Sequence, residues 1–263
     1  MLEALSGETS LYPIIGDPIE FVKSPQRLTE KFAERGHNGI CVPMLVPDGA
    51  LDDVLCGLAL VRNVRGLLVT MPHKGAMFKH CATASETSKL LSVVSIVRRN
   101  EDGSWHGDML DGLSFVEAQK KAGAKIEDAR VLQIGAGAAG SAIVVALLDS
   151  GIRELVLHDV DASKADELVQ LLSHRGRVIS GPPDPTGCDI VINATSMGMH
   201  PDDPLPVSRE LLTGSMFVGD VVAGHGETPL LQAAQAAGCK AAGGSAMVDA
   251  GMNLMYRFLL EKR

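Results

Sequence analysis

The chain has 263 residues, 46% of them hydrophobic and 21% charged. That is apolar material for one large or two ordinary domains, and it excludes disorder and fibrous repeats. With 32 acidic against 24 basic residues the formal charge is -8, and no basic run stands out, which argues against nucleic acid or an anionic membrane as partner.

Cys41, Cys56, Cys81, Cys188 and Cys239 are scattered, odd in number and never in a Cys-x-x-Cys pair, as expected of a reducing cytoplasm. The opening stretch carries Glu3 and Glu8 and lacks both a basic start and a long apolar core, so it does not read as a secretory signal. The longest apolar stretch, 131–148, is interrupted by Gln133, Ser141 and glycines and fits a strand followed by a helix better than a membrane span.

In chain order, β-rich runs fall at 11–16, 40–46 and 64–72. Ser24 followed by Pro25 reads as a helix cap and first-turn proline, with the helix running to Arg35 before Gly36, and a second helix is predicted over 50–60. Residues 92–99 and 104–110 read as two strands joined by a turn at 100–103. From Arg130 the pattern becomes regular strand–helix alternation, the signature of a parallel sheet. Strands are expected at 131–134, 154–159, 177–180, 189–198 and 216–222; helices follow the first two, cover 228–237 and close the chain over 246–260.

Gly135-Ala136-Gly137-Ala138-Ala139-Gly140 sits between a predicted strand and a predicted helix, the context that gives a G-x-G-x-x-G pattern its meaning. One glycine permits the tight turn, one lets backbone approach a pyrophosphate, and one packs helix against sheet, while the helix amino terminus faces the phosphate charge. This predicts a Rossmann doubly wound parallel sheet. The next strand ends at Asp159, about 20 residues on, where a carboxylate accepts from a ribose diol and repels a 2'-phosphate, so NAD is expected in preference to NADP. The alternative for Asp159 is a helix cap or turn.

Two loops carry candidate chemistry: Thr70-Met71-Pro72-His73-Lys74, and Met109-Leu110-Asp111-Gly112. Together with Ser24-Pro25, the glycine turn, Asn193 to Met199 and Thr228-Pro229-Leu230-Leu231, they follow one order through nearly the whole chain. In that order the sequence resembles the shikimate and quinate dehydrogenases. The resemblance implies a two-domain α/β enzyme, with residues 1–111 and 244–263 forming the substrate-binding catalytic domain and 112–243 the cofactor domain. It also implies hydride transfer between a nicotinamide cofactor and the ring hydroxyl of a cyclic hydroxy acid. Lys74 and Asp111 take the catalytic roles. Ser24, Thr70 and Ser95 take the substrate, and Gly135, Gly137, Ala138, Ala139, Gly140, Asp159, Asn193, Thr195 and Met197 take the cofactor. Alcohol oxidation leaves a proton beside the carbinol oxygen, so a positioned donor and acceptor pair is chemically apt. Taken singly, Lys74 would read as a solvated surface lysine and Asp111 as a helix cap, and the catalytic reading rests on both occupying matching loops.

The pattern breaks at several positions. The family's two hydroxyls in S-x-S-P fall here at Val22 and Ser24 of Val22-Lys23-Ser24-Pro25, so one is missing; a strand asparagine is Ser95, and the two polar residues before the aspartate are Met109 and Leu110. A usual tyrosine falls at Ala223, and a usual glutamine at or beside Gly251. Each lost charged hydrogen bond is worth roughly 1.5–3 kcal/mol, so altered substrate specificity is expected. No metal is expected: His73, His80 and Cys81 lack ligand spacing. The competing readings are a methylene-tetrahydrofolate dehydrogenase-like enzyme and a catalytically silent NAD-binding regulatory protein; as an assembly, a monomer or homodimer is expected.

Overall fold

The first apolar run forms β1 (Ser10–Gly16). It is followed by α1 (Ser24–Glu34), β2 (Gly39–Leu45), α2 (Leu51–Ala59) and β3 (Gly66–Val69), then α3 (Lys74–Phe78), β4 (Cys81–Ala84), α4 (Glu86–Leu91), β5 (Ile96–Arg99) and β6 (Trp105–Asp108). The computed structural model describes residues 5–200, 202–224 and 226–260. These form two units: residues up to Leu110 with those from Gly251 onward, and Asp111–Ala250.

In the first unit the strand order is β2-β1-β3-β5-β6-β4. Strands β1, β2 and β3 are parallel, while β5 runs antiparallel to both β3 and β6. The carboxyl ends of β1, β2, β3 and β6 and the amino end of β5 therefore share one sheet edge. The core gathers Ile15, Leu51, Leu55, Leu67, Met77 and Trp105, and α1 buries Leu28 and Phe32, one turn apart on a single face.

Local details differ from the sequence reading. Ser24 is the first helical residue of α1, and Lys23 occupies the cap position without a side-chain hydrogen bond. The short α3 and β4 were not foreseen, because five and four residues are too few to show a period, and the mixed burial of β4 leaves no alternating pattern to read.

The second unit contains α5 (Asp111–Lys121), β7 (Arg130–Ile134), α6 (Ala138–Asp149), β8 (Glu154–His158), α7 (Ala162–Leu172), β9 (Val178–Ser180), β10 (Ile190–Asn193), β11 (Phe217–Asp220), α8 (Pro229–Ala236) and β12 (Lys240–Ala242). The last helix, α9 (Gly244–Leu260), starts in this unit. Its strands are all parallel in the order β12-β11-β10-β7-β8-β9. The chain leaves β7 toward β8 and β9 and returns to its other side at β10, so the topological switch point lies between β7 and β10. The expected strand around 189–198 is only four residues long; beyond Asn193 the backbone turns away. The first residues of α9 belong to this unit because the Gly244 N–H donates to Val222 O, and a Cβ at Gly244 would lie 2.4 Å from Val221 O.

The outer strands are modest. β2 holds Pro43, β4 shifts register between Cys81 and Thr83, and β9 and β12 have three residues each.

Candidate functional site

At the end of β7 the backbone turns through Gly135, whose φ of +106° favours glycine. A Cβ there would also lie 2.7 Å from Ala194 O, so the turn is wedged against the residue following β10. Gly140 packs tighter still, since a Cβ on it would meet Gly135 O at 2.2 Å. Gly137 is different: nothing lies within 4 Å of its missing side chain. It is the amino-terminal cap residue of the 12-residue α6 and offers no side-chain cap. The first-turn amides of Ala138, Ala139 and Gly140 have no intrahelical acceptor by helix geometry. The open space at Gly137, just ahead of them, suits the close approach of a pyrophosphate to a helix terminus. The residues present fit a dinucleotide.

Gln133 braces this turn from below. Fully buried on β7, it donates through Nε2 to Gly135 O and Gly140 O, both at 2.9 Å. Asp159, just past β8, accepts from Ala136 N at 2.7 Å through Oδ2 and from Asp161 N at 2.9 Å through Oδ1. It is therefore in a turn and also tied to the glycine loop. The cap of α7 is Asp161, which accepts from Ser163 N. A carboxylate has about four acceptor sites, so half-buried Asp159 keeps capacity toward a diol.

Asn193 ends β10 with 0% exposure. Its Nδ2 donates to Met197 O (2.9 Å) and Asp220 Oδ1 (3.0 Å), and its Oδ1 accepts from Thr195 N (3.1 Å) and Thr195 Oγ1 (2.6 Å). Every hydrogen-bonding site of the amide is occupied internally, so the side chain expected to touch cofactor instead shapes the loop that follows. Thr195 and Met197 lie in that loop, both half-buried: Thr195 Oγ1 accepts from Met197 N at 3.0 Å, and the Thr195 methyl borders the glycine turn, 2.9 Å from where a Gly135 Cβ would stand.

In the first unit, Thr70, Lys74, Ser95 and Leu110 all fall at the shared sheet edge, as does the start of α1 with buried Ser24. Gly16 allows this crowding, for a Cβ on it would lie 2.2 Å from the Thr70 methyl and 2.9 Å from Met71 O. Lys74 opens α3, half-buried, immediately after His73, which is 1% exposed and bonded through Nε2 to Val46 O at 2.7 Å. The imidazole thus anchors the loop from within the core. Ser95 is buried, and its Oγ accepts from Leu110 N at 3.0 Å. Met109 and Leu110 are buried as well. Asp111 is the buried first residue of α5 in the second unit, where the positive end of a helix favours a carboxylate. Among the described residues, no group of three or more His, Cys, Asp or Glu is placed to hold a metal ion.

Sequence reasoning missed Gly16, His73, Gln133, Asp220 and Thr228 as parts of the site's support. The available signal was polarity in the wrong place: Gln133 and Asp220 interrupt apolar strands, and a buried polar group there requires partners.

A doubly wound parallel sheet with a glycine-rich turn at its switch point, joined in one chain to a mixed six-stranded α/β unit, defines a two-unit α/β protein of the dinucleotide-binding class. Residues 14–97 match the family model for the shikimate dehydrogenase substrate binding domain. A shikimate dehydrogenase (NADP(+)) from Rubrobacter xylanophilus is 37% identical over 251 residues, covering 93% of this chain and 88% of that protein. The crystal structure of shikimate 5-dehydrogenase from Listeria monocytogenes in complex with shikimate and NAD matches with a TM-score of 0.86 at 26% identity, over 98% of this chain and 94% of that one. Quinate dehydrogenase from Corynebacterium glutamicum in complex with NAD matches with a TM-score of 0.85 at 27% identity, over 97% and 94%. The chain belongs to the shikimate dehydrogenase family of oxidoreductases.

Proposed function

We propose that this protein is a nicotinamide-dinucleotide-linked dehydrogenase of a cyclic hydroxy acid of the shikimate and quinate type, working with NAD in preference to NADP. The observation that carries the reading is the open, glycine-lined helix terminus at the switch point with Asp159 tied to the same turn. In this reading the second unit is the cofactor domain: Gly135, Gly137, Ala138, Ala139 and Gly140 hold the pyrophosphate, Asp159 the ribose, and Thr195 and Met197 border the nicotinamide half. The first unit is the substrate domain, with Ser24 and Thr70 as polar contacts. When bound, the dinucleotide supplies the hydride acceptor or donor.

The chain's own residues manage the proton. Lys74 and Asp111 act as the donor and acceptor pair at the reacting hydroxyl, Lys74 exchanging the proton and Asp111 orienting the ammonium. A carboxylate at position 159 opposes a 2'-phosphate by like charge, which underlies the NAD preference, even though the Rubrobacter relative is named for NADP(+). The five cysteines are free thiols, as suits a cytoplasmic setting.

Substrate specificity departs from that of shikimate. Ser95 spends its hydroxyl on Leu110 N, and Met109 and Leu110 offer hydrocarbon where the family pattern has polar side chains, favouring a less hydroxylated ring acid. Initial-rate measurements with shikimate, quinate and less hydroxylated cyclic acids, each with NAD and NADP, test the whole reading. Turnover of at least one acid with NAD is expected. Shikimate oxidation at an ordinary enzyme efficiency of about 10⁴ M⁻¹s⁻¹ or more would overturn altered specificity, and activity confined to NADP would overturn the cofactor preference.

A further inference from the structure

We propose that Asp220 is a positioning residue for the cofactor site, fixing the 194–199 loop through Asn193 without touching the dinucleotide; the functional part of this rests on the dehydrogenase reading above. Asp220 ends β11 with 0% exposure, next to Asn193 at the same register of the adjoining strand. Its Oδ1 accepts from Asn193 Nδ2 at 3.0 Å and Val222 N at 2.9 Å, and its Oδ2 accepts from Thr228 Oγ1 at 2.6 Å.

Thr228 caps α8 by accepting from Leu231 N at 3.3 Å, so its hydroxyl hydrogen is left to give to Asp220. Asn193 must turn its NH₂ toward Asp220, because its oxygen already accepts from Thr195 N and Thr195 Oγ1. Thr195 in turn accepts from Met197 N. Donation therefore runs inward to Asp220 from both sides, from the start of α8 and from the loop beside the glycine turn. A carboxylate satisfies this arrangement and an amide does not: an NH₂ facing Thr228 could only donate to Oγ1, leaving the buried Thr228 hydroxyl hydrogen without its acceptor, and an NH₂ facing Asn193 and Val222 would meet two donors. Burial pushes the Asp220 carboxyl above the ordinary carboxylate range, while the bonds from Thr228, Val222 and Asn193 pull it back. A buried carboxylate held at a desolvation cost, with all its acceptors aimed at loop and cap donors, is suited to imposing one geometry on them.

The test uses the full chain with Asp220→Asn, and with Thr228→Val and Thr228→Ser as a second pair should Asp220→Asn fail to fold. Hydrogen exchange by mass spectrometry reads the loop directly. Asp220→Asn and Thr228→Val are expected to speed exchange about tenfold or more in 194–199, matching a loss of local protection, while the 130–134 strand keeps its protection and Thr228→Ser behaves as the parent. In kinetics, the KM for NAD is expected to rise about tenfold with the KM for the hydroxy acid unchanged, the split expected when cofactor binding alone is weakened. A variant that merely lowers the folded fraction would reduce kcat and leave both KM values alone. Unchanged exchange in 194–199, or equal behaviour of Thr228→Val and Thr228→Ser, overturns the proposal. Absence of NAD binding by the parent protein, with the exchange response intact, overturns the dehydrogenase reading and leaves the loop-fixing role standing.

Discussion

The two units carry their candidate residues on different materials. In the second unit the elements proposed to meet a dinucleotide are backbone: amides at the start of α6, glycines that keep those amides approachable, and buried side chains such as Gln133 and Asn193 that hold the backbone still. In the first unit the candidates are side chains projecting from one sheet edge, with Gly16 and His73 fixing where Lys74 emerges. A backbone site tolerates almost no added atoms and says little about identity. A side-chain site can be rewritten by substitution while the fold stands, and the proposed change of specificity rests on such rewriting at Ser95, Met109 and Leu110.

The sharpest way to break this contrast is Lys74→Ala. It is expected to lower kcat by about 10²–10⁴-fold, the usual contribution of a positioned acid or base, with NAD affinity unchanged by calorimetric titration; a parallel loss of NAD binding would show that the division of labour is false. Gly140→Ala is the converse. The added methyl would meet Gly135 O, and such overpacking costs about 1–3 kcal/mol, so thermal denaturation should give a Tm lower by several degrees and NAD binding should weaken, while hydroxy-acid KM at saturating NAD holds. Wild-type NAD affinity in this variant would remove the glycine turn from the site.

Asp159→Ala should have a smaller effect, weakening NAD by about tenfold, the worth of one charge-assisted hydrogen bond, and narrowing the gap to NADP in competitive titrations. An unchanged ratio of the two affinities would assign Asp159 to the turn alone. Smallest is Glu154→Gln, at the far end of β8. Glu154 is bonded to Arg130 at 2.9 Å and to Arg177, and its carboxyl is held below the ordinary range, first by the hydrogen bond from Arg130. A depressed folded-state pKa contributes stability that is present above the unfolded value near 4.3 and lost as pH falls through the lower folded value. The variant should lose about 1 kcal/mol or less at pH 7 and converge with the parent in acid, as followed by urea denaturation at each pH.

Much of this was legible in the letters. The strand–glycine–helix unit at 130–149 and the acid after β8 are local patterns, each fixed by a backbone requirement within some thirty residues. The Ser95 side chain's engagement with Leu110, the bracing of the glycine turn by Gln133 and the meeting of Asn193 with Asp220 were not, because each depends on which strands become neighbours. β10 and β11 lie side by side although 23 residues separate Asn193 from Phe217, and no periodicity in sequence announces that pairing. The short α3 escaped for the opposite reason: it is too brief to carry a period at all.

The modest outer strands bear on how the protein behaves in a crowded solution. A long, regular border of unpaired amides and carbonyls is a template on which other chains can add strands. Here one border carries a proline that cannot donate, one is irregular, and two extend for only three residues. Growth by strand addition is thereby discouraged at all four margins, and a protein whose working parts need open sheet ends for ligands keeps its sheet sides closed to aggregation.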